Sequence, residues 1–125
     1  MQAGNRRILC AESNRDVGDL IAFMLSRKGY SVTTVQTAAD CLKLAATERF
    51  DLYVLNDKYV DGDSLELCRE LRAMDPHTPV LLFSLDSKDF DRRRAASTAG
   101  ASVYLSDNSD FSELVGTIDR MLRKL

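Results

Sequence analysis

A group of oxygen-bearing side chains follows the apolar stretch "LYVLN" and is the first feature of the sequence that could do chemistry. Asn56 ends this stretch, and Asp57, Asp61 and Asp63 come shortly after it. Carboxylates at the end of a buried strand can bind a hard cation or act as nucleophiles. At the last position of the strand, where a reactive carboxylate would be expected, the sequence instead has an amide, which is a poor nucleophile.

Other common kinds of site find little support. His77 is the only histidine and lies in a loop between two prolines, so no Ser/His/Asp arrangement can be assembled. Cys10, Cys41 and Cys68 have no CxxC spacing and occupy apolar positions, which predicts buried, reduced thiols. The segment after the first apolar run lacks both GxGxxG and a Walker lysine, which argues against dinucleotide binding and P-loop hydrolysis.

The elements that position these residues alternate regularly along the chain. Five short apolar runs alternate with five helical patterns. The apolar runs are "RILCA" (7–11), "YSVTTV" (30–35), "LYVLN" (52–56), "VLLFS" (80–84) and "SVYLS" (102–106). Such βα units predict a parallel α/β sheet covered by helices on both faces. We expect one domain over residues 1–125, with its core at about 6–124.

Helical periodicity predicts which side chains face the core. In the first helix these are Val17, Leu20, Ile21, Met24 and Leu25, and in the third helix, from about Ser64 to Met74, they are Leu67, Cys68, Leu71 and Met74. The fourth helix, about 88–99, is apolar only through alanines, so it buries little apolar surface and is expected to be the most easily remodelled.

Ligands of a doubly wound sheet bind at the carboxyl ends of its strands. The residues at those ends are Glu12, Ser13, Asn56, Asp57, Ser84, Asp107 and Asn108. The formal net charge of −2 gives no reason to expect nucleic-acid binding, and no apolar run is long enough to cross a membrane. We interpret the basic run Arg92, Arg93 and Arg94 as a solvated or partner-facing surface.

Four segments make the chain resemble the receiver domains of bacterial two-component response regulators, of the chemotaxis-receiver type. They are "ILCAESNRDVGDLIAFMLSRKGYSV", "FDLYVLNDKYVDGDSLELCRELR", "TPVLLFSL" and "GASVYLSDNSDFSELVGTIDRML". The resemblance covers residues 6–124 and implies a flavodoxin-like (βα)5 three-layer sandwich with strand order 2-1-3-4-5. In that family, acids after the first strand and an aspartate ending the third hold Mg²⁺, and this aspartate accepts a phosphoryl group.

When the functional residues of the family are carried over to this sequence by position, only some of them match. Glu12 matches the first acid, Ser84 the hydroxyl after the fourth strand, and Tyr104 the aromatic that changes rotamer in the family. The remaining positions depart from the pattern: Ser13 stands for the second acid, Asn56 for the acceptor aspartate, Asp107 for a lysine, Asn108 for a proline, Val60 for the loop proline and Ser64 for a glycine.

These departures predict a pocket that has lost phosphoryl chemistry. An amide at position 56 cannot form an acyl phosphate, and Asp107 adds negative charge where a phosphoryl group needs positive charge. We hypothesise that the Asn56 amide donates a hydrogen bond to Glu12 or to Asp107. Asp57 remains an alternative acceptor, although neighbours in a strand point to opposite faces. Asp61 and Asp63 are interpreted as loop acids, Asp63 favouring a helix N-terminus.

The resulting expectation is a pseudo-receiver: a non-enzymatic, cytoplasmic signalling domain that lacks the acceptor aspartate, requires no cofactor and works through protein contacts. Its partner would be another signalling protein or a companion domain, with homodimerisation possible through the fourth helix, fifth strand and fifth helix. Two alternatives stay open. One is a working receiver that uses Asp57, with Mg²⁺ held by Glu12 and Asp57. The other is a flavodoxin-like binder of a small ligand.

Overall fold

The structure is a computed structural model that describes residues 6–84, 90–106 and 111–124. Strands and helices alternate within these ranges. The strands are β1 (Arg7–Ala11), β2 (Ser31–Val35), β3 (Leu52–Asn56), β4 (Lys58–Tyr59), β5 (Gly62–Asp63), β6 (Val80–Phe83) and β7 (Val103–Leu105). The helices are α1 (Arg15–Ser26), α2 (Ala38–Thr47), α3 (Ser64–Met74), α4 (Phe90–Ala99) and α5 (Phe111–Arg123).

Five of the strands form one parallel sheet in the order β2-β1-β3-β6-β7. The short strands β4 and β5 pair separately as an antiparallel hairpin between β3 and α3. When this hairpin is set aside, the main sheet has the predicted order 2-1-3-4-5. The flavodoxin-like α/β fold is therefore confirmed.

Alternating side chains of the strands serve two apolar cores, one on each face of the sheet. Leu9, Tyr53 and Leu55 pack against the side that carries α2, α3 and α4. Ile8 and Val54 point the other way, toward the buried residues of α1 and α5. Both faces of the central strands are thus covered, which explains their nearly continuous hydrophobicity.

Two predicted core positions on the helices are wrong. Leu20 is 43% exposed and Met74 is 46% exposed. In α1 the buried positions are Gly18, Ile21 and Leu25. These residues form the face of the helix that packs against the protein, and Leu20 lies outside that face. Met74 is the last residue of α3, and the buried residues of this helix end at Leu71.

The prediction of buried, reduced thiols is confirmed, and two further local features complete the description of the fold. The thiols of Cys10, Cys41 and Cys68 are free and buried. Thr37 caps α2 by accepting a hydrogen bond from the Asp40 backbone N–H over 3.1 Å. Within the described ranges, no helix has both the length and the apolar character needed to cross a membrane.

Candidate functional site

The register of the sheet places Glu12 beside Asn56. Ala11 of β1 pairs with Leu55 of β3, so the next residue of each strand lies at the same level on the carboxyl edge. Asn56 in turn pairs with Phe83, the last residue of β6, which Ser84 follows. Because parallel strands end on the same side of a sheet, the lengths of these strands are enough to bring the candidate residues to one edge.

A direct hydrogen bond joins Asn56 to Glu12. The amide nitrogen Nδ2 of Asn56 donates to Oε1 of Glu12 over 2.5 Å. The other side of the amide is also engaged, because Oδ1 of Asn56 accepts from the Asp57 backbone N–H over 2.7 Å. With the oxygen facing an N–H donor, the NH₂ group has to face the carboxylate. The hypothesis that Asn56 donates to a carboxylate is thus confirmed for Glu12.

The Glu12 carboxylate is almost completely enclosed, with 2% of the residue exposed. Burial raises its pKa, and this effect outweighs the opposing hydrogen bonds from the Asn14 backbone N–H, Asn56 and Ser13. The Asn14 bond measures 2.8 Å and the Ser13 hydroxyl lies 3.5 Å away. Each of these neutral groups donates a hydrogen bond, so the protein itself satisfies the Glu12 carboxylate.

Asp57 faces away from this arrangement and forms an ion pair. Its Oδ1 accepts from Nε of Arg92 in α4 over 2.8 Å, and both side chains are less than one-fifth exposed. The same guanidinium donates through Nη2 to the hydroxyl of buried Ser64 over 3.2 Å. Arg92 is therefore turned toward the loop after β3, which corrects its interpretation as a solvated residue. Arg93 and Arg94 are exposed.

The two remaining acids of the loop cap helices. Asp63 accepts from the Glu66 backbone N–H over 3.0 Å at the start of α3, as predicted. Asp61 reaches across to α2, where its two carboxylate oxygens accept from the backbone N–H groups of Ala38 and Ala39 over 2.9 and 3.0 Å. These bonds lower the pKa of Asp61. Asp61 is thus an exposed loop acid, as expected, and it also caps the start of α2, a role that was not expected from the sequence.

The other predicted residues lie around the same edge. Ser84 is 1% exposed, and its backbone N–H donates to the Leu105 carbonyl over 2.9 Å. Tyr104 is 6% exposed, so it is a packing residue in this conformation. Asp107 and Asn108 lie outside the described residues.

The donor set around Asn56 does not fit Mg²⁺. This cation prefers several oxygen ligands that include one or two carboxylates. Glu12 faces an NH₂ group, which repels a cation, and Asp57 is paired with a guanidinium. Across residues 6–84, 90–106 and 111–124, no group of three or more His, Cys, Asp or Glu side chains is placed to hold a metal ion.

A cleft of about 260 Å³ opens on the other side of Glu12, between the starts of α1 and α2. Its lining is polar and contains no aromatic side chain: Glu12, Arg15, Gly18, Thr34, Val35, Gln36, Thr37 and Asp40. Sites for small organic ligands are commonly larger and lined mainly by apolar and aromatic groups. The cleft therefore gives little support to a flavin or nucleotide binder.

Two contacts of the site were missed by the sequence reasoning. The Asp57–Arg92 pair joins residues far apart in the chain, and no local spacing indicates it. The second is the hydroxyl of Tyr59, which donates to the Ala11 carbonyl over 3.0 Å and ties the β4–β5 hairpin to the end of β1. Tyr59 is visible in the sequence, but neither its partner nor the short β4–β5 hairpin was predicted from it.

Together, the five-stranded parallel sheet and the polar pocket at its carboxyl edge define a flavodoxin-like α/β domain. The comparisons with known proteins agree. Residues 8–119 match the response regulator receiver domain family. The chain belongs to this family and is a receiver domain of two-component signalling.

The individual relatives are regulators, and this chain spans about half their length. It is 34% identical over 119 residues to the response regulator MprA of Mycolicibacterium vanbaalenii, covering 94% of this chain and 51% of MprA. It is 28% identical over 120 residues to the alkaline phosphatase synthesis transcriptional regulatory protein PhoP of Bacillus subtilis, covering 96% of this chain and 50% of PhoP.

A solved structure shows the same fold. The CheY-like receiver domain protein from Methanospirillum hungatei superposes with a TM-score of 0.87 at 22% identity, covering 95% of this chain and 94% of the other.

Proposed function

We propose that this receiver domain does not accept a phosphoryl group and signals through protein contacts. The observation that carries the proposal is the Asn56–Glu12 hydrogen bond. It places an amide donor at the family's acceptor position and holds it against the residue that matches the family's first acid. The pocket is thereby filled by its own side chains, in an arrangement that requires neither Mg²⁺ nor a phosphodonor.

The chemistry of acceptance supports the same view. An acceptor must present an ionised carboxylate in line with phosphorus, with cations nearby to neutralise the equatorial oxygens. Asn56 cannot supply the nucleophile, and Ser13 and Asp107 replace an acid and a lysine of the family pattern. Since each change removes a different requirement, restoring one of them would not restore activity.

Asp57 is the alternative acceptor, and its surroundings argue against it. The carboxylate is already engaged by Arg92, and the Asp57 side chain is 18% exposed. An incoming phosphodonor would have to displace this guanidinium before attack. Mg²⁺ would also have to approach a site at which a positive charge is already held.

Intact-mass spectrometry after incubation with acetyl phosphate and Mg²⁺ tests the proposal, with BeF₃⁻ binding followed in parallel. We expect no added phosphoryl mass on the natural chain. A variant carrying Ser13→Asp, Asn56→Asp and Asp107→Lys is the matched positive control, and we expect it to gain the mass. An adduct on the natural chain that disappears in Asp57→Ala would overturn the proposal and identify Asp57 as the acceptor.

The contact surface that we propose lies on α4, β7 and α5. Arg93 and Arg94 are exposed there, and a cleft of about 390 Å³ is lined by Arg93, Ser97, Ala101, Ser102, Val103, Tyr104 and Leu105. The partner would be another signalling protein, a companion domain or a second copy. Light scattering over a concentration series, comparing the natural chain with Arg93→Glu, distinguishes homodimerisation from contact with a different protein.

We further propose that the domain works in the cytoplasm and without a cofactor. Three buried, free thiols fit a reducing compartment. Because the regulators that resemble this chain are about twice its length, an output domain is also part of the proposal. Expression as a fluorescent fusion, followed by fractionation, tests the compartment.

A further inference from the structure

The ion pair between Asp57 and Arg92 belongs to a small network that joins two elements. Nε of Arg92 donates to Asp57 Oδ1 over 2.8 Å, and Nη2 donates to Ser64 Oγ over 3.2 Å. The Ser64 backbone N–H closes the network by donating to the Asp57 carbonyl over 2.8 Å. One guanidinium thus spans both ends of the segment that leads from β3 into α3.

Burial strengthens this network compared with a surface ion pair. The side chains of Arg92 and Asp57 are 19% and 18% exposed, and Ser64 is fully buried. Partly enclosed charges are screened less by water and salt than exposed ones. The planar guanidinium also donates to two acceptors at once, which fixes its orientation more firmly than a single contact would.

The helix that carries Arg92 has few other anchors among the described side chains. Among the side chains of α4 that the structure describes, those of residues 92–99, the buried ones are Ala96 and Ala99, which are single methyl groups. Apolar burial of this size contributes little to holding a helix against a sheet. A polar contact at the beginning of α4 therefore has a larger share in positioning it than the same contact would have in α1 or α5.

The neighbouring arginine connects α4 to the opposite side. Nη1 of Arg93 donates to the Tyr104 carbonyl over 3.4 Å, and its guanidinium carbon lies 5.8 Å from the centre of the Tyr104 ring. Consecutive residues of α4 thus contact the loop after β3 and the middle of β7. A shift of the helix at Arg92 would move Arg93 relative to Tyr104.

We propose that Asp57, Arg92 and Ser64 form a latch that holds α4 in one position and thereby sets the shape of the surface around Arg93 and Tyr104. The latch acts through a permanent ion pair, where a phosphorylated receiver would use a transient modification. Release of Arg92, for example by a partner that offers it a competing carboxylate, would free α4. The consequence for partner binding rests on the proposed function, whereas the latch itself does not.

Hydrogen exchange of the isolated domain tests the latch without a partner or a phosphodonor. In Arg92→Gln and in Asp57→Asn, we expect the amides of residues 92–99 to exchange about tenfold faster, since loss of an anchor favours local opening. The amides of α1 and α5 should be unchanged. Arg94→Gln is the matched control, because it removes a neighbouring exposed arginine, and it should leave exchange in α4 unaltered.

The double variant Asp57→Arg with Arg92→Asp tests whether the protection of α4 depends on the ion pair itself or on each side chain separately. We expect the exchanged pair to restore most of the protection that the single charge reversals Asp57→Arg and Arg92→Asp remove. Protection of α4 that is equal in Arg92→Gln and Arg94→Gln would overturn the latch. That result would leave the proposed function untouched, because phosphoryl acceptance is measured separately by mass spectrometry.

Discussion

The Asn56 amide nitrogen lies 2.5 Å from a carboxylate oxygen of Glu12, and this contact replaces a repulsion with an attraction. An aspartate at position 56 would put two carboxylates against each other inside an enclosed pocket. The amide removes the repulsion and supplies the donor that buried Glu12 needs. In the proposed metal-free pocket, the amide would thus take the place of a cation as the partner of Glu12.

Asn56→Asp should therefore destabilise the domain. Loss of the hydrogen bond and addition of a like charge should lower the free energy of unfolding by about 1–3 kcal/mol. Millimolar Mg²⁺ should recover part of this loss in the variant, since a cation can bridge two carboxylates, and should leave the natural chain unaffected. Urea denaturation with and without Mg²⁺ measures both effects.

Thr98→Asp, compared with Thr98→Asn, is the control for Asn56→Asp. The comparison makes the same change from amide to carboxylate at an exposed residue of α4. If both changes from amide to carboxylate cost equal stability, the Asn56–Glu12 contact would have no special role.

Asp75 should contribute to stability above pH 4 and lose this contribution in acid. Burial alone would raise its pKa, but hydrogen bonds from the Thr78 hydroxyl, from the Thr78 and His77 backbone N–H groups and from the Tyr53 hydroxyl lower it to about 2. Because the folded state binds the proton less tightly than the unfolded chain, stability is present above the ordinary value of 3.8 and falls as the pH drops toward 2.

Asp75→Asn should flatten this acid dependence. Allowing for solvent screening, we expect a loss of about 1 kcal/mol at pH 7 and a smaller loss near pH 2. Thermal unfolding followed by circular dichroism over this range makes the comparison. Asp19→Asn, at an exposed position of α1, should leave the pH profile unchanged.

Two glycines should respond oppositely to replacement by alanine. Gly18 lies inside α1, and a Cβ atom there would meet Glu12 and Thr34 only at ordinary contact distances of 3.6–3.9 Å. Gly18→Ala should stabilise the domain by about 0.5–1 kcal/mol through helix propensity. Gly100 has φ of +106°, and a Cβ atom there would lie 3.1 Å from Arg72, so Gly100→Ala should destabilise it by about 1–2 kcal/mol. Chemical denaturation of both variants provides the test, and equal signs would contradict it.

The three thiols should be unreactive in the folded protein. Burial raises the pKa of Cys10 and of Cys41 to about 12 and also raises that of Cys68, so little thiolate is present at neutral pH. Iodoacetamide should modify them only as fast as the domain unfolds. Labelling of one thiol well before the others would show local opening at that site.

The sequence was a good guide wherever a local pattern determines the structure. Hydrophobic runs predicted β1 and β3 with their observed bounds, and Asp63, which was expected to favour a helix N-terminus, caps the start of α3. The approach of Asn56 to Glu12 was also predictable, because adjacent parallel strands bring their last residues together.

What escaped prediction depends on contacts between distant segments. The partners of Asp61 and Arg92 lie in other elements, and only the packed arrangement brings them within hydrogen-bonding range. The error at Leu20 has a similar origin. The periodicity of the apolar residues predicts that α1 has one apolar face. It does not determine the rotation of the helix about its axis, which is set by the sheet against which the helix packs.

The loop between β3 and α3 sends one carboxylate to each of three helices on the same face of the sheet. Asp57 engages α4, Asp61 engages α2 and Asp63 engages α3. This division limits how the domain can be re-engineered. A transplanted loop without these three acids would remove all three attachments together, so a stable chimera would need the matching ends of α2 and α4 as well.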